Sequence, residues 1–198
     1  MSADEKIKKY VIPPYQGIRT FYHSQKYFRY ARRELINQLI RDNIKSVLDV
    51  GCGHALGANE IIDAGIDYVG IDPIEDNLKL AREDCPRGRF SIGFAQEIPC
   101  GDKSFDAVMN VTVWEILPTI ADMEIAMREM VRVARRKIYS LDCDPSPRFM
   151  KERYMCVPQE YGLTFKRVNW NPEKRGADTL WVIDLGGIED RPSKIPKS

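Results

Sequence analysis

Two carboxylates and one amide stand at the ends of apolar runs: Asp49 in VLDVGCG, Asp72 in YVGIDPI and Asn110 in FDAVMNV. After the first comes a turn holding Gly51, Gly53 and Gly57. Glycine lets backbone approach a ligand closely, and a strand-to-helix turn aims the unpaired N–H groups of the helix start at whatever sits there. A carboxylate about 20 residues beyond such a turn is spaced to accept hydrogen bonds from ribose hydroxyls, so the pair suits a nucleotide-like ligand. The dinucleotide fingerprint G-x-G-x-x-G would need glycine at 56, where the chain has Leu56, and Gly57 comes one residue late. The fit to NAD is therefore imperfect, and a tight connection without a ligand stays open.

Alternating elements must position these groups. Ser46–Val50 reads as a strand and 55–64 as the helix after it; Tyr68–Asp72 reads as a second strand closed by Pro73, with a helix over 75–83. A short strand over 89–92, a strand over 105–110, a helix over 121–134 and a strand over 137–142 follow. Met123, Met127, Met130 and Ala134 recur at helical spacing and read as core. This alternation predicts a parallel sheet covered on both faces. The strand-like runs 164–170 and 180–185 flank NPEKRGADT, whose Pro172 and Gly176 suit a hairpin loop, so the sheet should end in an antiparallel pair. Upstream, Phe28, Ala31, Leu35, Ile36, Leu39 and Ile40 keep helical spacing, with Arg29, Arg32 and Arg33 on the other side. That predicts an amphipathic helix of roughly five turns from Phe21, leaning on the sheet edge. The first 20 residues, with Pro13, Pro14 and Gly17, read as an arm, and the terminal RPSKIPKS as disordered. In an open parallel sheet, ligands bind beyond the carboxyl ends of the strands where strand order reverses. Asp49, Asp72 and Asn110, with Thr112, Trp114 and Glu115 after it, should converge there.

The 198 residues suit one α/β domain whose core needs no disulfide. A net charge of +1 argues against a protein that coats nucleic acid, and no run reaches the about 18 apolar residues of a membrane span. Cysteines 52, 85, 100, 143 and 156 form no C-x-x-C pair and no His/Cys metal cluster. Reduced thiols, no metal site and a cytoplasmic location are expected, and MSADEKIKKY lacks the apolar core of an export signal. Residues 1–45 carry ten basic side chains against four acidic ones. Such a face suits an anionic substrate or RNA, or is simply solvated.

VLDVGCGHALG, YVGIDPIEDNLKLAR, GFAQEIPCGDKSFDAVMN and EIAMREMVRVARRK occur in that order within residues 45–142. Together they resemble the class I S-adenosylmethionine-dependent methyltransferases, in particular the type 11 or UbiE-like small-molecule branch. The resemblance implies a doubly wound, Rossmann-like, mostly parallel seven-stranded sheet with an antiparallel C-terminal strand pair and an N-terminal helical lid. It implies one domain over 1–190: arm and lid helix over 1–43, cofactor-binding core over 44–142, and C-terminal strands with the acceptor region over 143–188; the tail follows at 189–198. By the same resemblance the methionine part of S-adenosylmethionine falls on Asp49, Gly51 and Gly53, and the ribose on Asp72. The adenine falls on Pro73 and Ile74 with Ala95 and Gln96 along its edge, and the sulfonium and amino end on Asn110 and Val111. Ala55 replaces the third glycine of the family's G-x-G-x-G, which bears on how closely backbone approaches the cofactor carboxylate.

The implied activity is transfer of a methyl group to an N or O atom of a small molecule by in-line displacement, with S-adenosylhomocysteine as product. A sulfonium methyl is already activated, so alignment and a proton acceptor are the main requirements. The family places acceptor-binding groups in the N-terminal segment, after strand four and after strand five, here PPYQGIRTFYHSQKYFRY, TVWEILP and DPSPRFMKERYMCVPQEYG. The aromatic-rich first stretch suits a lid over a sulfonium. His23 is the leading candidate base, with Tyr22 and Glu115 in reserve, while His54 lies in the glycine turn. Trp114 is a pocket wall or core. An RNA or protein methyltransferase would use Arg29, Arg32, Arg33 and the cluster Arg128, Arg132, Arg135, Arg136 and Lys137. A regulatory domain that binds the cofactor without turnover, and a homodimer through exposed apolar helix surface, also stay open.

Overall fold

Apolar runs closed by Gly51 and by Pro73 become the first two strands of one sheet. The computed structural model describes residues 2–10, 26–142, 162–168 and 178–186. SVLDV forms β1 (Ser46–Val50), with Val47, Leu48 and Val50 at most 1% exposed, so side chains on both faces are covered. β2 (Asp67–Asp72), β3 (Arg89–Ile92), β4 (Phe105–Val111) and β5 (Ala134–Asp142) join it in parallel. β6 (Gly162–Val168) and β7 (Asp178–Asp184) add an antiparallel pair, and the order is β3-β2-β1-β4-β5-β7-β6. Order reverses between β1 and β4, where Val50 stands beside Ile71 on one side and Asn110 on the other.

Helices cover both faces. α5 (Ile120–Val133) starts on Thr119, whose Oγ1 accepts from the Asp122 N–H, and buries Met123, Ala126, Met127 and Met130 against Leu48, Val108 and Ile138. The methionine stripe is core, as its spacing predicts. α2 (Lys26–Arg41), α3 (Ala58–Asp63) and α4 (Glu75–Asp84) serve the opposite cluster of Val47, Tyr68, Met109 and Tyr139.

Three expectations change. α2 lies over the sheet face rather than leaning on its edge: Ala31, Leu35 and Leu39 pack with Met109, Tyr139, Leu141 and Leu180, apolar groups that need a cover on that side. Its Ile40, expected on the apolar stripe, is 50% exposed. α3 starts later than position 55 because Ala55 (φ 56°) and Gly57 (φ 94°) are left-handed and cannot continue a right-handed helix. The arm contains α1 (Ala3–Tyr10), started by a reciprocal cap: Ser2 Oγ accepts from the Glu5 N–H at 3.2 Å and Glu5 Oε2 from the Ser2 N–H at 2.6 Å. The expected disordered tail falls outside the described residues.

Candidate functional site

The glycine turn is tied to the end of β2. Gly51 and Cys52 N–H groups donate to the Ile71 carbonyl at 2.8 and 3.0 Å, and the Gly53 N–H donates to Asp72 Oδ2 at 2.9 Å. Each glycine has its own reason. At Gly51 (φ 71°) an added Cβ would lie 2.5 Å from Val113 Cγ2, so packing demands glycine. At Gly53 (φ 53°) it would meet nothing within 4 Å, which leaves open space beside the turn. Ala55 is itself left-handed (φ 56°), a conformation that glycine adopts at less cost.

Asp72 is buried at the β2 end, with Oδ1 accepting from the Ile74 N–H at 2.9 Å and from Asn77 Nδ2 at 3.1 Å. Burial pushes its pKa up, while the three hydrogen bonds pull it down. A carboxylate offers about four acceptor positions, so one remains for a ligand hydroxyl. Asp49, on the α2 side of β1, accepts from the Tyr68 hydroxyl at 2.7 Å through Oδ2; its buried Oδ1 has no hydrogen-bond partner. Burial pushes the Asp49 pKa up to about 7; the Tyr68 hydrogen bond and the Arg32 charge oppose the rise, and the Asp72 charge adds to it.

Beyond β3 the loop bends at Phe94 and Glu97, whose N–H donates to the Phe94 carbonyl at 3.0 Å. This loop walls a shallow crevice, partly open to solvent. Gly51 and Pro73 form one side, Gly93 to Gln96 the second, and Val113, Ile116 and Leu117 the third. Apolar concavities with a few polar groups for orientation are where small ligands bind. One such group is Gln96, 8% exposed, whose Nε2 is buried without a hydrogen-bond partner. Ile74, next to Pro73, contributes its N–H to Asp72 and caps α4.

Asn110 and Val111 end β4 beside the turn, but the Asn110 side chain points into the α5 face. It is 0% exposed, with Oδ1 accepting from Ser140 Oγ at 2.9 Å and Nδ2 reaching Met130 Sδ at 3.6 Å. Trp114 Nε1 donates to Ser140 Oγ at 2.7 Å, and Asp142 Oδ2 lies 3.2 Å from that hydroxyl. Trp114, 1% exposed, is therefore core behind the crevice, and Asn110 can offer a ligand only backbone. Val111 is half-buried. Glu115 lies in the single 3-10 turn Trp114–Ile116 at the crevice wall. His23 and Tyr22 fall outside the described residues, and His54 sits half-buried in the turn.

Two residues escaped the sequence reading. Lys6 of α1 stands 5.6 Å above the Phe94 ring and pairs with Glu97, which brings the N-terminal helix to the crevice wall. Its signal was the S-x-x-E cap before IKKY. Arg32, assigned to the polar side of α2, is half-buried against Gly57, where an added Cβ would lie 2.8 Å from Arg32 Cδ. Ile36, one turn on and 8% exposed, marks that flank of the helix as covered. The supposed RNA cluster is internally paired. Arg132 bonds Glu129, Asp102 and the Ile98 and Cys100 carbonyls. Arg128 pairs with Glu124, Arg135 with Asp106 and Lys137 with Asp42, and Arg136 donates to the Asp42 and Asn43 carbonyls.

Comparison with known proteins agrees with this geometry. A family model described as "Methyltransferase domain" matches residues 48–139. Among similar proteins, the fatty-acid O-methyltransferase of Mycolicibacterium smegmatis is 35% identical over 109 residues, 53% of this chain and 39% of that protein. The uncharacterized methyltransferase Mb3374 of Mycobacterium bovis is 33% identical over 102 residues, 52% of this chain and 40% of that protein. The crystal structure of PH0226 from Pyrococcus horikoshii OT3 shares the fold, with a TM-score of 0.67 at 19% identity, covering 84% of this chain and 94% of that one. The chain thus spans about two fifths of the length of the curated relatives it matches. No described helix is long and apolar enough to cross a membrane.

Proposed function

We propose that this chain binds S-adenosylmethionine and transfers its methyl group to an oxygen or nitrogen of a small-molecule acceptor. The observation that carries the reading is the meeting, at the strand-order reversal, of a glycine turn bonded to Asp72 with a crevice lined in part by Gln96, whose buried Nε2 has no hydrogen-bond partner in the fold. These residues fit the cofactor. Asp72 keeps an acceptor position for ribose hydroxyls, Pro73 and Phe94 offer apolar surface for adenine, and Gln96 has a hydrogen-bond capacity unused by the protein. Asp49 has a carboxylate oxygen free for an ammonium group. The open space beside Gly53 suits the amino-acid end.

The bound cofactor supplies an electrophilic sulfonium methyl. The chain aligns the acceptor and excludes water, with the apolar wall of Val113, Ile116 and Leu117 bounding the space. His23, Tyr22 and Glu115 remain the candidate proton acceptors. An O-methyltransferase among the relatives favours oxygen as the accepting atom. The pairing of Arg128, Arg132, Arg135 and Lys137 with acids weighs against an RNA substrate on that face. Calorimetric titration with S-adenosylmethionine and S-adenosylhomocysteine tests binding. Transfer of labelled methyl to a panel of small carboxylic and phenolic acceptors then tests turnover. Folded protein that binds neither ligand would sink the proposal, and binding without transfer to any acceptor class would leave a regulatory domain.

A further inference from the structure

Phe94, Ala95 and Gln96 line one side of the crevice on a bend that closes at Glu97. Both flanks of the bend are tied to the core: the Gly93 N–H donates to the Asp72 carbonyl at 3.3 Å, and the Ile98 N–H to Glu129 Oε2 at 2.9 Å. Between those anchors the bend is gripped from α1. The Lys6 ammonium lies over the Phe94 ring, 5.6 Å from its centroid, and pairs with the Glu97 carboxylate, so one charge holds the first and last residues of the bend. Phe94 is 6% exposed and lines the crevice, which makes a single ring common to the helix and the site. The Lys6 side chain is 23% exposed, and a cation partly withdrawn from water is drawn to a ring face more strongly than one at the open surface.

A helix of 8 residues is marginal in water by itself, so α1 owes its form to what it docks on. That docking is a weak equilibrium, which a ligand packed on Phe94 can bias. We propose that Lys6 is a positioning residue that couples α1 to the cofactor, by fixing the Phe94–Glu97 bend against which the adenine packs. The inference rests on the cofactor reading above, which offers Pro73 and Phe94 as the apolar surface for adenine. Linkage makes the effect reciprocal: if docked α1 tightens the ligand, bound ligand tightens α1 by the same factor. The Glu97 side chain is 64% exposed, so its ion pair adds little to global stability and weakens as salt rises. Substitution of Lys6 should therefore spare the free fold and strike the ligand.

The probe is S-adenosylhomocysteine, whose ammonium and carboxylate charges cancel, so that salt acts little on the ligand itself. Calorimetry at low and high salt reads its affinity, and amide hydrogen exchange with and without it reads the docking of α1. In wild type the ligand should slow exchange across α1, and its affinity should fall as salt is raised. Lys6→Met should melt like wild type when free, yet lose about fivefold in affinity, the low end of couplings between sites. It should also lose the salt dependence and the ligand-linked protection of α1. Lys6→Arg should restore most of the affinity and the protection, because a guanidinium both stacks on a ring and pairs with a carboxylate. Wild-type affinity and wild-type α1 protection in Lys6→Met overturn the coupling and leave the cofactor reading standing. So does an Lys6→Arg protein as weak as Lys6→Met. Failure of wild type to bind the probe overturns the cofactor reading together with this one.

Discussion

Replacing Asp72 by Asn keeps the side-chain shape and turns one acceptor into a donor. In the native protein two carboxylate oxygens accept from three groups: the Gly53 N–H, the Ile74 N–H and Asn77 Nδ2. An amide has a single oxygen, so at least one buried backbone N–H must face an NH2 group. A stranded buried donor costs about 1–3 kcal/mol. The amide also escapes the burial cost that pushes the Asp72 pKa up, which offsets part of the loss. The expected net is about 1–2 kcal/mol, or a fall in Tm of about 2–8 °C for a domain of this size. Ligand binding adds a second readout. A ligand at a hundredfold excess over its Kd stabilises by about 2.7 kcal/mol, and a tenfold loss of affinity reduces that to about 1.4 kcal/mol. Thermal unfolding of both proteins, with and without a fixed concentration of S-adenosylmethionine, measures the two effects together. If Asp72→Asn melts like wild type and gains the same shift from the cofactor, Asp72 neither staples the turn nor faces the ligand.

Asp49 makes stability depend on pH. Its folded pKa is raised from 3.8 to about 7, so the native state holds a proton that the unfolded chain releases, and this contribution is lost as pH rises from about 4 to 7. Asp49→Asn should flatten that decline in denaturant titrations at several pH values; an unchanged slope would refute the assignment. The two turn glycines should separate in mutagenesis. Gly51→Ala adds a clash with Val113 to left-handed strain and should cost about 2 kcal/mol or more. Gly53→Ala carries only the strain, about 1–2 kcal/mol, yet should weaken cofactor binding because its methyl enters the open space. Equal stabilities, or full affinity in Gly53→Ala, would contradict this. Gln96→Met removes a buried Nε2 that has no hydrogen-bond partner, so the free protein should be as stable as wild type or more so while cofactor affinity falls. A stability loss above about 1 kcal/mol would show that the amide has a partner in the fold.

Most of the scaffold was legible because its signals are local. The strands over 46–50 and 89–92 have the bounds expected from sequence, since glycine follows each directly, at Gly51 and Gly93. The parallel core, the antiparallel pair at its end and the buried face of α5 followed from periodicity and from the alternation of elements. The left-handed residues that delay α3 were harder to read, because Ala55 gives no warning of a positive φ.

What side chains meet across the sheet was not local. The amino-acid sequence by itself determined that Asp49, the glycines, Asp72 and Asn110 sit at strand ends, because hydrophobic periodicity and turn chemistry act over a few residues. Only the tertiary structure decided that Asp72 clasps the Gly53 N–H, that Asn110 turns toward Ser140 and Met130, and that Lys6 reaches Phe94. It likewise decided that Arg32 crosses Gly57. The reason is strand order: β1 lies between β2 and β4, with α2 laid over one face, so groups far apart in the chain become neighbours only once the sheet closes.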